Sequence, residues 1–165
     1  MKVLFIGGIK SGKSQNAEKY ILKHSKKKPS YLATTEFIDD EMATKIAEHK
    51  KSREGSFVTV EEALEIAKAV RESKEESVLV ECLSMWVNNM LYHEKSLDDM
   101  TAEINRVMLQ EKDIVFVIND VSSSVISENK LVRKFVEANG KIAQYVASEC
   151  DEVYHVVAGI ATRIK

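Results

Sequence analysis

This chain has few cysteines, a single proline and almost no net charge. The scarcity of cysteine and of charge excludes whole classes of protein. Its 165 residues include 2 cysteines and 1 proline, and the formal net charge is −2. Two cysteines in apolar surroundings, Cys82 and Cys150, do not make a disulfide framework and predict reduced thiols in a cytoplasmic protein. A net charge this close to zero gives no reason to expect nucleic acid as a partner.

Long hydrophobic runs are missing as well. No apolar stretch approaches the roughly 18 residues that a membrane span needs, and the first apolar run begins at residue 2, which leaves no space for a signal peptide. The lone Pro29 and the 6 glycines give no convincing linker, and no internal repeat is visible. The sequence therefore predicts one cytoplasmic domain over residues 1–165, long enough to bury a sizeable core.

Half of those glycines fall in one segment near the N-terminus. Residues 7–14 fit the phosphate-binding pattern G-x-x-x-x-G-K-[ST] at every fixed position, between an apolar run at 2–6 that predicts a strand and a helical pattern at 15–23. Lys13 is expected to reach the outer phosphates, and the Ser14 hydroxyl to take a position on Mg²⁺. The alternative is a chance glycine-rich turn before a helix. The predicted nucleotide-binding residues are Gly7, Gly8, Ile9, Lys10, Ser11, Gly12, Lys13 and Ser14.

The rest of the chain alternates between two periodicities. Apolar runs predict strands at 30–33, 57–60, 78–82, 113–118 and 152–157, and amphipathic patterns predict helices at 39–53, 61–73, 83–92, 97–110 and 128–149. Near-continuous apolar strands alternating with helices indicate an α/β fold with a mostly parallel sheet covered on both faces.

Polar residues at strand ends are the next candidates. Glu81 follows the apolar run Val78-Leu79-Val80, where a carboxylate would assist a metal near the phosphate loop; the alternative is an ordinary strand-end glutamate. Asn119 and Asp120 end the next predicted strand, at the sheet edge where open α/β folds bind ligands.

His49 is ambiguous from its local sequence. It shares a stripe with Met42 and Ile46 on the predicted helix at 39–53, which is typical of an amphipathic residue lying over a core. Lys50, Lys51 and Arg53 follow it and make that helix end cationic, which suits phosphate as well as solvent. A neutral imidazole is also a competent nucleophile at neutral pH.

Several segments together resemble the bifunctional adenosylcobinamide kinase / adenosylcobinamide-phosphate guanylyltransferase family of cobalamin biosynthesis. The resemblance spans nearly the whole chain, and the acidic segment leading to His49 is its most specific part. The matching residues are Gly7-Gly8 with Ser11-Gly12-Lys13-Ser14, Tyr31 to Thr35, Asp39-Asp40-Glu41-Met42, His49-Lys50, Val80-Glu81-Cys82, Glu128-Asn129, Asp151 to Tyr154, and Gly159.

This resemblance implies a RecA-like P-loop NTPase domain that assembles as a homotrimer and works in two steps. The first phosphorylates adenosylcobinamide with a nucleoside triphosphate, either GTP or ATP. The second transfers GMP from GTP through a guanylylated histidine, giving adenosylcobinamide-GDP and pyrophosphate. The resemblance implies that His49 and Lys13 are catalytic, and that Ser14 and Glu81 serve Mg²⁺. The further nucleotide contacts implied are Thr34, Thr35, Lys50, Lys51, Ser52, Arg53, Glu61 and Glu81.

The chain departs from the family pattern in two places. Ser122-Ser123-Ser124 and Ser127 replace two glycines and a proline of N-E-V-G-x-G-[IV]-[VI]-P, and Lys141 and Ala143 replace the arginine and asparagine of G-R-x-N-Q. Serines imply a differently shaped loop, and lysine loses the bidentate geometry of arginine. If these positions face the cobinamide, altered corrinoid binding or kinase activity is expected, whereas the guanylyl-transfer residues match the family. Two alternatives stay open: a P-loop kinase without a covalent histidine, and a nucleotide-binding regulator without catalysis.

Overall fold

Seven β-strands form one sheet in the computed structural model, which describes residues 1–36, 55–121 and 126–165. Their order across the sheet is β3-β2-β4-β5-β1-β6-β7, and neighbours are parallel except for the antiparallel pair β6 and β7. The strand that precedes the glycine motif, β1, therefore lies inside the sheet between β5 and β6. The strands are β1 (Lys2–Gly7), β2 (Ser30–Ala33), β3 (Val58–Glu61), β4 (Ser77–Glu81), β5 (Asp113–Asn119), β6 (Glu152–Val157) and β7 (Ile160–Arg163).

Helices cover both faces of this sheet. Within the described ranges they are α1 (Lys13–His24), α2 (Ile66–Glu72), α3 (Leu83–Tyr92), α4 (Leu97–Met108) and α5 (Lys130–Glu149). Ala17 and Ile21 of α1 join one apolar cluster with Phe5. The other four helices join a second cluster that contains Leu4 and Trp86. Adjacent residues of a strand point to opposite faces, so the two clusters lie on either side of β1.

The central strands are apolar because both of their faces are covered. Residues 114–118 of β5 are at most 2% exposed, as are Val3, Leu4 and Phe5 of β1. A strand with only one buried face would alternate between apolar and polar residues. The α/β fold with a mostly parallel, doubly covered sheet is confirmed.

One sequence prediction about secondary structure is wrong, and one strand has no counterpart among the predictions. The helix predicted from residue 61 begins at Ile66, because Glu61 still pairs with Ala33 in the sheet. The Glu62 carboxylate then accepts from the Leu64 and Glu65 amides at 2.8 and 3.0 Å, which makes a turn before the helix. Strand β7 was not predicted. It follows a tight turn at Ala158 and Gly159, whose φ values of 51° and 82° suit a two-residue hairpin.

The predicted helix at 39–53 and the serines at 122–124 lie outside the described residues. The helix predicted at 83–92 is confirmed with those bounds, and the helix predicted at 128–149 begins at Lys130. Within the described ranges, no helix is long and apolar enough to cross a membrane.

Candidate nucleotide and metal site

The glycine motif forms a loop between β1 and α1. Its backbone turns through left-handed conformations at Lys10 (φ 57°) and Gly12 (φ 90°). The Ser11 amide donates to the Gly8 carbonyl at 3.2 Å, which closes the loop on itself. The first turn of α1 begins directly afterwards at Lys13, so unpaired helix amides and the positive end of the helix dipole face the loop. This is an anion-binding geometry.

The Lys13 side chain lies in this loop and is 8% exposed. Its ammonium donates to the Gly8 carbonyl over 3.4 Å, which is near the outer limit of a hydrogen bond. A buried ammonium is costly unless it is well paired, and a phosphate oxygen would pair it better than this long contact does. The position suits the predicted role of Lys13 as a phosphate ligand.

Ser14 and Glu81 meet beside the loop. The Ser14 hydroxyl donates to Glu81 Oε1 at 2.8 Å, although 67 residues separate the two in sequence. Glu81 is the last residue of β4, and only β5 lies between β4 and β1. The carboxyl end of β4 therefore faces the loop that follows β1.

The donor set of this pair fits Mg²⁺. A hydroxyl and a carboxylate are hard oxygen ligands, and Mg²⁺ characteristically takes one or two such groups together with phosphate oxygens and water. Among the described residues, no group of three or more His, Cys, Asp or Glu side chains could hold a metal by itself. A Mg²⁺ ion held by this pair would draw its remaining ligands from phosphate oxygens and water.

Thr34 has a structural position at the end of β2. It is fully buried, and its hydroxyl donates to the Cys82 carbonyl at 2.8 Å. Its amide donates to the Glu81 carbonyl at 3.1 Å, and its carbonyl accepts from Asn89 Nδ2 at 2.6 Å. Thr34 thus fixes the backbone at Glu81 from the neighbouring strand end. Its predicted contact with nucleotide stays a prediction.

Glu61 and Glu81 lie in line across the same edge of the sheet. Both pair in register with Ala33, Glu61 on β3 and Glu81 on β4. Two strand spacings put their backbones about 10 Å apart. Thr35 follows β2 between them. The structure thus brings Gly7 to Ser14 together with Glu81, and leaves Glu61 on the far side of β2.

Residues 49–53 lie outside the described ranges. His49, Lys50, Lys51, Ser52 and Arg53 therefore remain sequence predictions, and the described part of the site consists of the loop and the strand ends.

Burial leaves the thiol next to Glu81 uncharged. Desolvation raises the pKa of Cys82 to about 12, and the Glu81 charge acts in the same direction. Nucleophilic chemistry requires a thiolate, so Cys82 is suited to packing rather than to nucleophilic attack.

The substituted positions of α5 differ in environment. Lys141 is exposed and forms an ion pair with Glu137 at 2.6 Å, so it interacts along its own helix. Ala143 lines a mostly apolar cavity of about 230 Å³, together with Asn119 and Asn139 near the end of β5. The second substitution therefore borders the sheet edge that carries the loop, and the first does not.

Sequence reasoning missed three hydrogen bonds that support the loop. Asn16 on α1 donates from Nδ2 to the Gly12 carbonyl at 2.9 Å and to the Gly159 carbonyl at 3.1 Å. The Gly159 amide donates to the Ser11 carbonyl at 2.7 Å. The pair Ala158-Gly159 is the one local signal for this turn, and nothing local indicates that it meets residues near position 12.

A glycine loop between the first strand and helix of a parallel sheet, with a strand-end carboxylate beside it, defines a P-loop NTPase domain of the RecA-like type. A solved structure with similar architecture is the flagellar accessory protein FlaH from Methanocaldococcus jannaschii. It superposes with a TM-score of 0.54 at 13% identity, covering 99% of this chain and 77% of that one. This likeness concerns the fold alone.

The chain belongs to the cobinamide kinase / cobinamide phosphate guanyltransferase family, whose model matches residues 3–164. It is 31% identical over 186 residues to the bifunctional adenosylcobalamin biosynthesis protein CobU of Salmonella typhimurium, with 100% of both chains covered. It is 33% identical over 173 residues to CobP of Pseudomonas aeruginosa, covering 100% of this chain and 98% of the relative. The family resemblance seen in the sequence is confirmed.

Proposed function

We propose that this protein carries out both reactions named in its family, phosphorylating adenosylcobinamide and then transferring GMP from GTP to the resulting phosphate. The observation that carries the proposal is the Ser14–Glu81 hydrogen bond of 2.8 Å beside the loop. This bond puts side by side a hydroxyl and a carboxylate, the two kinds of oxygen ligand that would hold Mg²⁺ in a triphosphate-dependent transferase.

In the kinase step, the terminal phosphoryl group moves from the triphosphate to the hydroxyl of the aminopropanol arm, and the hydroxyl proton is released. Little covalent work falls to the protein in such a transfer, because positioning and charge neutralisation supply most of the catalysis. Lys13 and the amides of the loop would hold the outer phosphates. Mg²⁺, when held by Ser14 and through water by Glu81, would neutralise charge on those phosphates.

In the guanylyl step, an imidazole nitrogen of His49 would attack the α-phosphorus of GTP. A P–N bond forms, the bond to the bridging oxygen breaks, and pyrophosphate leaves. The phosphate of adenosylcobinamide phosphate then attacks the same phosphorus, and the P–N bond breaks to give adenosylcobinamide-GDP. The role of His49 is supported by the resemblance of its segment to the family. The residues that follow it in sequence would add phosphate contacts: Lys50, Lys51, Ser52 and Arg53. Thr34, Thr35 and Glu61 are proposed nucleotide contacts on the same ground.

Labelling with α-³²P-GTP tests the histidine directly. We expect the protein to carry an acid-labile, alkali-stable label. This label should be absent when γ-³²P-GTP is used instead, and absent from the His49→Ala variant. His24→Ala is the matched control, because His24 is an exposed histidine at the end of α1. If adenosylcobinamide is phosphorylated but the protein carries no label, the protein is a kinase without a covalent histidine. If GTP binds and neither reaction occurs, the protein is a nucleotide-binding regulator.

We also propose a cytoplasmic homotrimer, supported by the family resemblance. Light scattering on a sizing column is expected to give three times the 18.6 kDa mass of the chain. A monomer mass at working concentration would contradict this part of the proposal.

A further inference from the structure

The C-terminal hairpin lies against the phosphate loop. The turn between β6 and β7 consists of Ala158 and Gly159, and the Gly159 amide donates to the Ser11 carbonyl at 2.7 Å. The two segments are almost at opposite ends of the chain. The sheet brings them together because β6 pairs directly with β1, with Gly7 opposite Val156.

Asn16 joins the same turn to the loop from the first turn of α1. Its Nδ2 donates to the Gly12 carbonyl at 2.9 Å and to the Gly159 carbonyl at 3.1 Å. An amide group has two N–H donors, and both are used here. The opposite orientation of the amide would set its oxygen against two carbonyl oxygens, so the hydrogen bonds themselves fix the orientation.

The loop and the hairpin are in close steric contact. A Cβ added at Gly7 would come within 2.5 Å of the Val156 carbonyl oxygen, and one added at Gly12 would come within 3.0 Å of Gly159 Cα. The approach at Gly7 leaves no space for a methyl group, and the approach at Gly12 leaves none unless the Gly159 backbone shifts. The shape of the loop is therefore matched to the backbone of β6 and of the turn that follows it.

These contacts determine where the loop amides point. In a trans peptide the C=O of one residue and the N–H of the next are in one plane and point in opposite directions. Holding the Ser11 carbonyl orients the Gly12 N–H, and holding the Gly12 carbonyl orients the Lys13 N–H. The Gly159 amide holds the Ser11 carbonyl, so the Gly12 N–H faces away from the hairpin. The backbone amide of Asn16, at 3.0 Å, and its side-chain amide together hold the Gly12 carbonyl, so the Lys13 N–H faces away from Asn16.

We propose that Asn16 and the Ala158–Gly159 turn are positioning elements for the polyphosphate, acting through the peptide planes of the loop. The proposal rests on the proposed function, since it assumes that the loop amides bind phosphate. Asn16 would act through the loop rather than on the phosphate: it holds the Gly12 carbonyl directly and the Ser11 carbonyl through the Gly159 turn. Two donors are thereby pre-oriented that would otherwise have to be ordered when the ligand binds.

Asn16→Leu tests this proposal, because leucine has a similar size and shape without donors or charge. Gln15→Leu is the matched control at the neighbouring exposed position of the same helix. We expect the Kd values for GTP and for inorganic tripolyphosphate to rise together by about tenfold in Asn16→Leu, as the loss of one or two hydrogen bonds predicts. At saturating GTP, the rate of GTP turnover in Asn16→Leu should equal that of the wild type. A globally damaged protein would stay slower at every GTP concentration.

Wild-type Kd values for both ligands in Asn16→Leu would overturn the proposal, as would weaker GTP binding without weaker tripolyphosphate binding. If Asn16→Leu lacks a cooperative unfolding transition, Asn16→Ala serves the same measurement with the same two outcomes. Lys13→Ala, measured in parallel, separates the two levels of inference. A wild-type Kd for GTP in Lys13→Ala would contradict the proposed function. A raised Kd in Lys13→Ala together with a wild-type Kd in Asn16→Leu would contradict only the positioning role of Asn16.

Discussion

Ser14 on α1 and Glu81 at the end of β4 are joined by a hydrogen bond of 2.8 Å. The strand order makes this contact possible, because β4 and β1 are separated by β5 alone. The loop that follows β1 and the end of β4 then emerge at the same edge of the sheet. A hydroxyl and a carboxylate that belong to distant segments become one pair of oxygen ligands.

Glu81→Gln should separate the charge of this pair from its hydrogen bond. Glutamine keeps an oxygen that accepts from Ser14 but removes the negative charge, so the fold should be retained. We expect the Mg²⁺ concentration for half-maximal GTP turnover to rise about 10- to 100-fold, as for other groups that orient a metal ligand. A magnesium titration of GTP turnover measures this, with the exposed Glu72→Gln of α2 as control. An unchanged magnesium requirement would contradict the metal assignment.

Lys13→Ala should remove affinity for triphosphate without lowering stability. A hydrogen bond to a charged group contributes about 1.5–3 kcal/mol, so the Kd for GTP should rise at least about tenfold. Lys13 is 8% exposed and its ammonium makes only a long bond to Gly8, so removing the side chain also relieves a desolvation cost. Isothermal titration calorimetry and thermal unfolding measure the two effects, with the exposed Lys19→Ala of α1 as control. A large drop in the unfolding midpoint would show instead that Lys13 is structural.

Thr34→Val should destabilise the protein, because it removes the donor to the buried Cys82 carbonyl at an almost constant volume. The Cys82 carbonyl still accepts from the Met85 and Trp86 amides, so the loss of this one hydrogen bond should lower the free energy of unfolding by about 0.5–1.5 kcal/mol. Urea denaturation measures the change, and Thr34→Ser, which keeps the hydroxyl, should lose less. A Thr34→Val variant as stable as the wild type would contradict a stabilising role for this hydrogen bond.

The two cysteines should be unreactive in the folded protein. Burial raises the pKa of Cys82 and that of Cys150 to about 12 each, from an ordinary value of 9.0. Almost no thiolate is therefore present at pH 8, and a disulfide reagent should react slowly until denaturant is added. Rapid modification of both thiols under native conditions would contradict this burial.

The same shifts predict a loss of stability in alkali. The folded pKa values are raised, so above pH 9 the unfolded chain releases thiol protons that the folded chain retains, and the free energy of unfolding falls. The slope should approach about 1.4 kcal/mol per pH unit for each thiol. Urea midpoints between pH 8 and 10 measure it, and a Cys82→Ala and Cys150→Ala double variant should have a flatter profile.

Much of the fold could be predicted from the sequence because its main signals are local. The run from residue 114 to 118 is apolar throughout, and the structure buries it on both faces. Likewise the motif at 7–14 lies between a strand and a helix, as its spacing predicts. Glu61 shows the limit of this reasoning. Its neighbours suit a helix, but pairing with Ala33 keeps it in the sheet.

The amino-acid sequence by itself determined the α/β class, the phosphate loop and the family. Each of these depends on residue type and spacing within short segments. Only the tertiary structure decided that Ser14 meets Glu81 and that Asn16 joins the loop to Gly159, across 67 and 143 residues respectively. Such contacts follow from the order in which strands pair, and no local pattern of side chains encodes that order.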